Sequence, residues 1–357
     1  MKKPSVKRII GASVIAALLG LIQPTLFMTA MLVCVTPVCI AALYAWAGWI
    51  PVAVASALTV GSLGWFASVS GGMSPVLAAL SALVVFVAPA LAGIAALEKR
   101  LPFFKRMAVT VGAQTAALIG FACLVYLGLK VDLVDAMVGM LRSSVEMMPA
   151  DALMGYLNVF AMYGILNEES MKELNEGILL WSDVRKVLDQ AFDLITYQFR
   201  QTMPAMLINS GLVSGMLITA VPSRICSRRG DEPDVGHVPM TGWFLPSRAV
   251  AGIAVCMGTG LVLQYMKVEG SGAVMAVFTM LYSTLCITQG IAALNRKFRD
   301  SGASKGARVG LTVAALLFAM NFLEIVGAMS ALFGRKGAIS SWMRKRIEEN
   351  RKDDDEE

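Results

Sequence analysis

The 89 residues from Ile9 to Leu97 include no charged side chain. No soluble domain can be built from such a stretch, because a water-facing surface needs charged and polar groups. A hydrocarbon core about 30 Å thick is crossed by roughly 20 apolar residues in an α-helix. The run therefore holds three or four crossings joined by short turns. Lipid is the solvent for most of what this chain folds into.

The rest of the sequence agrees. Hydrophobic residues make up 57% of the chain and charged ones 16%, against about 25% charged in soluble proteins. Nothing alternates like barrel strands, and backbone groups in lipid must be satisfied internally, so the spans are helices. The bases Lys2, Lys3, Lys7 and Arg8 look like the start of a signal peptide. The apolar stretch behind them outruns any such segment, so it reads as a retained first helix.

The expected fold is an all-α polytopic transmembrane bundle of about nine spans, or eight, with an amphipathic helical insertion between spans five and six. Residues 1–130 hold five spans: Ile9–Ile22, Leu26–Ala47, Pro51–Val69, Pro75–Leu97 and Met107–Leu129. Pro37 and Pro89 lie inside two of them, where each releases a backbone carbonyl that neighbouring helices must cover. Residues 201–334 hold four more: Gln201–Val221, Ala249–Met266, Ser271–Leu294 and Val309–Phe333. Residues 335–357 form a charged, partly disordered tail ending in Asp353, Asp354, Asp355, Glu356 and Glu357.

Residues 131–200 differ in character, with eleven acids against five bases. Leu133, Val134, Met137, Val138, Leu141 and Val145 repeat at helical spacing, as do Leu180, Val184, Val187, Leu188 and Ile195. Two amphipathic helices are implied, lying on the bundle or in the headgroup layer, and the second runs into the next span.

Lysine and arginine collect on the cytoplasmic side of a cell membrane. A cytoplasmic N-terminus places Lys99–Arg106, Arg224–Arg248 and Arg296–Arg308 inside and the acidic insertion outside, provided the opening run crosses four times. Nine full crossings would leave Arg335, Lys336, Arg344, Lys345 and Arg346 outside, against the rule. Either the last stretch dips in and returns near Gly327, or the tail is an exception.

Catalytic patterns are absent. The single histidine, His237, excludes a multi-histidine metal site. Gly302-Ala-Ser-Lys-Gly306 lacks the spacing of a phosphate loop, and Gly258-Thr-Gly260 reads as helix packing. Six cysteines without a CxxC pair read as small buried hydrophobes in reduced form. No cofactor is expected. The net charge of +6 reflects topology, so no nucleic-acid partner is implied.

Glu324 is the one ionisable residue in the core of an expected span, where a charge costs roughly 2.5–3.5 kcal/mol. It is either a ligand or proton site, helped by Asn321, or a helix-end carboxylate reaching the interface or Arg335. Gln114 and Asn209 are further amides at depth; they bridge helices, or they converge with Glu324 on a small polar pocket. Small residues recur at four-residue spacing in Ala12, Ala16 and Gly20 and again in Gly211 and Gly215. Such stripes let helix backbones approach, within the bundle or against a partner subunit.

The order of features resembles the YybS-like family of bacterial integral membrane proteins. It rests on the Pro-punctuated opening, the amphipathic segment after span five, the loop Gly236-His-Val-Pro-Met-Thr-Gly-Trp-Phe-Leu-Pro246, and the close Gly327-Ala-Met-Ser-Ala-Leu-Phe-Gly-Arg335-Lys336. The resemblance implies an aromatic–x–x–Pro element at Trp243–Pro246 and a Gly–x–x–Asp…Arg-Lys close, in which Ser330 stands where an acid is expected. Thr36-Pro37 followed by Ala47-Gly48 is also similar to the substrate-binding membrane subunits of energy-coupling vitamin transporters. Ala12 and Ala16 fall where those subunits dock a partner. That similarity implies an ATPase and a membrane coupling subunit as partners. The expected function is transport-related substrate binding, with a non-transporting scaffold for envelope proteins as the alternative.

Overall fold

A computed structural model describes residues 5–27, 34–70, 74–148, 172, 181–229, 238–239, 242–244 and 247–333. Among them all regular structure is helical. In chain order come α1 (Val6–Phe27), α2 (Val35–Ala47), α3 (Trp49–Ser70), α4 (Pro75–Ala82), a π-helical turn (Leu83–Val87), α5 (Ala88–Glu98), α6 (Phe103–Leu129) and α7 (Leu133–Glu146). Then follow α8 (Trp181–Arg228), α9 (Ser247–Tyr265), α10 (Ser271–Asp300), α11 (Lys305–Phe318) and α12 (Met320–Phe333). The chain divides into two compact units, Met1–Ile119 with Ala205–Glu357, and Gly120–Pro204.

In the larger unit, α1 shows the side-chain distribution of a helix solvated by lipid. Ala12 and Ala16 are fully buried, while Ile10, Val14, Ile15, Leu18 and Leu21 face outward. Bulky apolar groups lose nothing by facing hydrocarbon, so small residues take the inside, where backbones approach. A side chain on Gly20 would strike Leu58 and Thr59 of α3. Gly211 and Gly215 of α8 lie likewise against Thr115 and Val111 of α6. There Thr110 Oγ1 donates to the Gly215 carbonyl at 2.8 Å and lies 2.7 Å from Thr219 Oγ1. Both small-residue stripes thus serve helix contacts within this chain.

Pro89 explains the π-helical turn. It has no N–H to offer the Val85 carbonyl four residues back, and the ladder widens so that Ala88 N–H reaches the Leu83 carbonyl instead. Further along, Gly48 ends α2 at φ 86°, a conformation that glycine adopts without strain. The carbonyls of Ala45 and Trp46, left over at the end of α2, accept from Arg229 Nη1 at 2.6 and 3.0 Å. A guanidinium at a helix C-terminus also suits the helix dipole.

Five helices among the described residues are long and apolar enough to cross a membrane: Trp49–Val69, Pro75–Glu98, Phe103–Gly128, Leu188–Arg228 and Ser271–Asp300. The expected count of nine full spans is not reached among these residues. The second expected span appears as the 13-residue α2, too short alone for a 30 Å core. The ninth is broken. α11 and α12 are bent by 109° at Ala319, and counting the pair as one span raises the total to six. No proline or glycine marks that break, and beyond it α12 seats on α10. Side chains on Gly290 and Gly327 would collide with the backbones of Leu323 and Cys286, so the two helices cross at near backbone contact.

The smaller unit holds α7 and the first part of α8. Asp132 caps α7, its side chain accepting from Asp135 N–H at 2.8 Å. Val134, Val138 and Val145 are buried on α7, and Leu188, Ala191, Phe192 and Ile195 on α8. Arg142 pairs with Asp189 and lies over the Phe192 ring, while Arg200 reaches Asp135 at 2.8 Å and Asp132 at 3.3 Å. At 48 residues and about 1.5 Å each, α8 is far longer than a hydrocarbon core is thick.

The Asp135 N–H, with Arg200 behind it, holds the Asp132 carboxyl below the usual carboxylate range. A depressed native pKa adds stability above the unfolded value of about 3.9, and that stability is lost as pH falls through the native value. Protection of 133–146 in hydrogen exchange, corrected for intrinsic rates, should therefore hold at neutral pH and weaken below about pH 4. In Asp132→Asn the pH-dependent difference should largely vanish; an undiminished difference would assign it to another group.

Candidate functional site

Two of the polar residues at depth are anchored on α10. Ser283 Oγ donates to Glu324 Oε2 at 3.0 Å, and the adjacent Thr284 Oγ1 donates to Asn209 Oδ1 at 2.5 Å. Glu324 and Asn209, 115 positions apart, are therefore anchored at successive residues of one helix. Gln114 is fully buried on α6, where its Nε2 approaches the Val85 carbonyl at 3.5 Å. That is the carbonyl Pro89 leaves without its usual donor. Asn321 is exposed on α12. The structure joins two of the four expected residues through α10 and does not gather all four into one pocket.

One turn and more beyond, α10 carries a second cluster. Gln289 Nε2 donates to Ser330 Oγ at 3.1 Å, and Arg296 Nη2 reaches the same oxygen at 3.3 Å. Arg296 Nη1 donates to the Trp243 carbonyl at 3.1 Å, and its guanidinium stacks 4.1 Å from the Phe244 ring centroid. Trp243 in turn donates from Nε1 to the Val238 carbonyl at 3.1 Å and packs its ring on Phe103. One arginine thus ties the loop before α9 to α10 and α12. The family resemblance singles out Trp243, Phe244 and Ser330, whereas Arg296 reads along the sequence only as a base of a cytoplasmic loop. His237, Leu245, Pro246, Arg335 and Lys336 lie outside the described residues.

Ser330 sits where a carboxylate would meet the Arg296 guanidinium. Ser330→Asp is expected to raise thermal stability in detergent by about 1 kcal/mol through a charge-assisted hydrogen bond. A lower melting temperature would show that Gln289 and the local desolvation dominate.

Between α8, α10, α11 and the residues Val238, Pro239 and Trp243 opens a cavity of about 770 Å³. Its lining includes Val213, Met216 and Leu217 of α8 and Val309 and Val313 of α11. Thr288, Asn295 and Thr312 add polar groups, with Asn295 Nδ2 reaching Thr312 Oγ1 at 3.4 Å. Arg224, Arg299, Lys305 and Arg308 are its charged members, and none of the lining residues is acidic. Read along the sequence, these four cations are topology signals on two separate loops. Only the fold shows that they share one opening.

Among the described residues no group of three or more metal-ligating side chains forms. The architecture is that of a helical membrane protein, and residues 11–330 match the family described as Predicted membrane protein (DUF2232). The chain belongs to the DUF2232 family. No curated protein and no solved structure matches it. In this DUF2232 member the family match contains α10, the bent pair up to Ser330, and every residue that lines the cavity.

Proposed function

We propose that this chain is a membrane-embedded, transport-related binding protein whose ligand site is the cavity between α8, α10 and α11. The observation that carries this reading is the cavity itself. Its volume of about 770 Å³ falls within the range of small-molecule sites, and its mixture of apolar walls with a few polar groups is typical of them. α11, the first half of the broken pair, supplies part of the cavity wall, as discontinuous helices in membranes often do. The Glu324–Ser283 hydrogen bond latches α12 to α10 beside it and is assigned a structural role. Binding, and not catalysis, is the activity assigned.

The reading places the N-terminus and the basic cavity mouth in the cytoplasm of a cell membrane. A turn at Ala319 fits a last segment that dips into the membrane and returns toward the side of Lys305. An ATPase with a membrane coupling subunit would be the partners of a transport role.

The test fills the cavity. Val213→Trp and Thr288→Trp are each expected to abolish retention of the small molecules that co-purify with the protein in mild detergent, as measured by mass spectrometry of extracts. Helical content and melting should stay near those of the parent. An unchanged set of bound molecules in both folded variants would overturn the reading.

A scaffold role draws on a different observation: Met137, Met140, Leu141 and Met147 are exposed on and just beyond α7, a face that could meet a partner or lipid. Deleting 133–146 should then reduce recovery of the same partner proteins in pull-downs. Recovery without loss would set the scaffold aside.

A further inference from the structure

We propose that the cavity's ligand is an amphiphile with a net-anionic phosphate headgroup, its anionic end held by Arg224, Lys305 and Arg308 and its hydrocarbon lying along Val213 and Val309. This rests on the cavity being the ligand site and adds the chemistry of what it takes. Among the described residues four cations and no acid line one opening. Arg299 has a carboxylate beside it, Asp300 at 3.5 Å. Arg224, Lys305 and Arg308 have no ion pair among the described residues, and Arg308 Nε is buried without a hydrogen-bond partner among them.

The placement of two of these cations is unfavourable unless an anion joins them. Lys305 and Arg308 occupy the first turn of α11, which carries no acid. A helix N-terminus is the positive end of the helix dipole and favours negative charge. Arginine forks match phosphate oxygens in pairs. An anion at this mouth would satisfy Arg224 from the end of α8 and the first turn of α11 together.

The wall below selects for a hydrocarbon tail. Val213 lies eleven residues before Arg224 on α8, about 16 Å along the axis. Over that length Met216 and Leu217 also face the cavity. A free phosphate would leave this wall uncovered, and a zwitterionic lipid, whose ammonium offsets its phosphate, would leave the cations without net compensation. Basic pockets between membrane helices hold anionic headgroups by this combination.

The test uses the full chain in phosphatidylcholine nanodiscs, titrated with phosphatidylglycerol and followed by native mass spectrometry. The expected result is one saturable phosphatidylglycerol per protein, with affinity falling about tenfold in Arg224→Gln and again about tenfold in Arg308→Gln. Arg224→Lys should lose less, which separates charge from misfolding. Inorganic phosphate at millimolar concentration should not displace the lipid.

Displacement by inorganic phosphate would overturn the amphiphile and leave a soluble phosphate site. Equal binding of both lipids, or unsaturable binding indifferent to the variants, would also overturn it and reduce the cations to topology. If Val213→Trp still removes other co-purified molecules, only this inference falls. If it removes nothing, the cavity reading falls with it.

Discussion

Gly327→Ala is expected to destabilise the protein by about 3 kcal/mol, out of proportion to the single methyl group it adds. The new Cβ would collide with the Cys286 backbone carbonyl, which no rotamer change can move aside. Either α12 lifts from α10 or α10 distorts. Lifting would lengthen the Glu324–Ser283 and Gln289–Ser330 hydrogen bonds together, since all three contacts lie on the same helix pair. Gly290→Ala should behave alike, because its Cβ meets the Leu323 backbone. Gly258→Ala in α9 is the control. Nothing lies within 4 Å of a Cβ there, so its effect should stay within about 0.5 kcal/mol. Thermal unfolding in detergent separates the cases. Equal melting temperatures for Gly327→Ala and Gly258→Ala would refute the close crossing.

Arg296→Ala carries the second large effect, about 2 kcal/mol, from the lost stacking on Phe244 and the lost hydrogen bonds to Trp243 and Ser330. Its signature is local. Residues 238–244 should become sensitive to protease while the helical content holds. Arg296→Lys keeps the charge but cannot present two forked donors while stacking on a ring, so it should rescue only in part. Full rescue by lysine would mean that charge alone fixes the loop.

Much of the helical layout was legible in the sequence, because lipid imposes a simple rule on composition. The uncharged run from Ile9 to Leu97 has to become helices, and the structure places α1 to α5 within or at the margins of it. Small residues at four-residue spacing announced close backbone approach, and Gly20, Gly211 and Gly215 each meet a neighbouring helix. What hydropathy could not show was where an apolar stretch stops being one straight helix. Ala319 sits amid Leu317, Phe318, Met320 and Phe322, with no breaker among them. Beyond the bend α12 meets α10 at Gly290, nearly thirty residues upstream of Ala319, a contact that local hydropathy does not encode.

The same limit governed the site. Glu324 stood out because a carboxylate in lipid is costly, yet its hydroxyl donor, Ser283, is an ordinary residue of α10. Asn321 lies one turn from Glu324 in the chain but faces outward, a matter of helix rotation that apolar flanks on all sides do not specify. The cavity was legible only in pieces. Arg224 lies a turn before the end of α8 and Lys305 opens α11, and the charge rule accounts for each separately. Their meeting needs the fold.

The most direct measurement is an experimental structure of the protein purified with its native lipids, by electron cryomicroscopy in nanodiscs. Elongated non-protein density in the cavity, with its head at Arg224 and Arg308 and its tail along Val213, is the predicted result. A cavity collapsed by its own side chains, or α11 and α12 running straight on through Ala319, would contradict it.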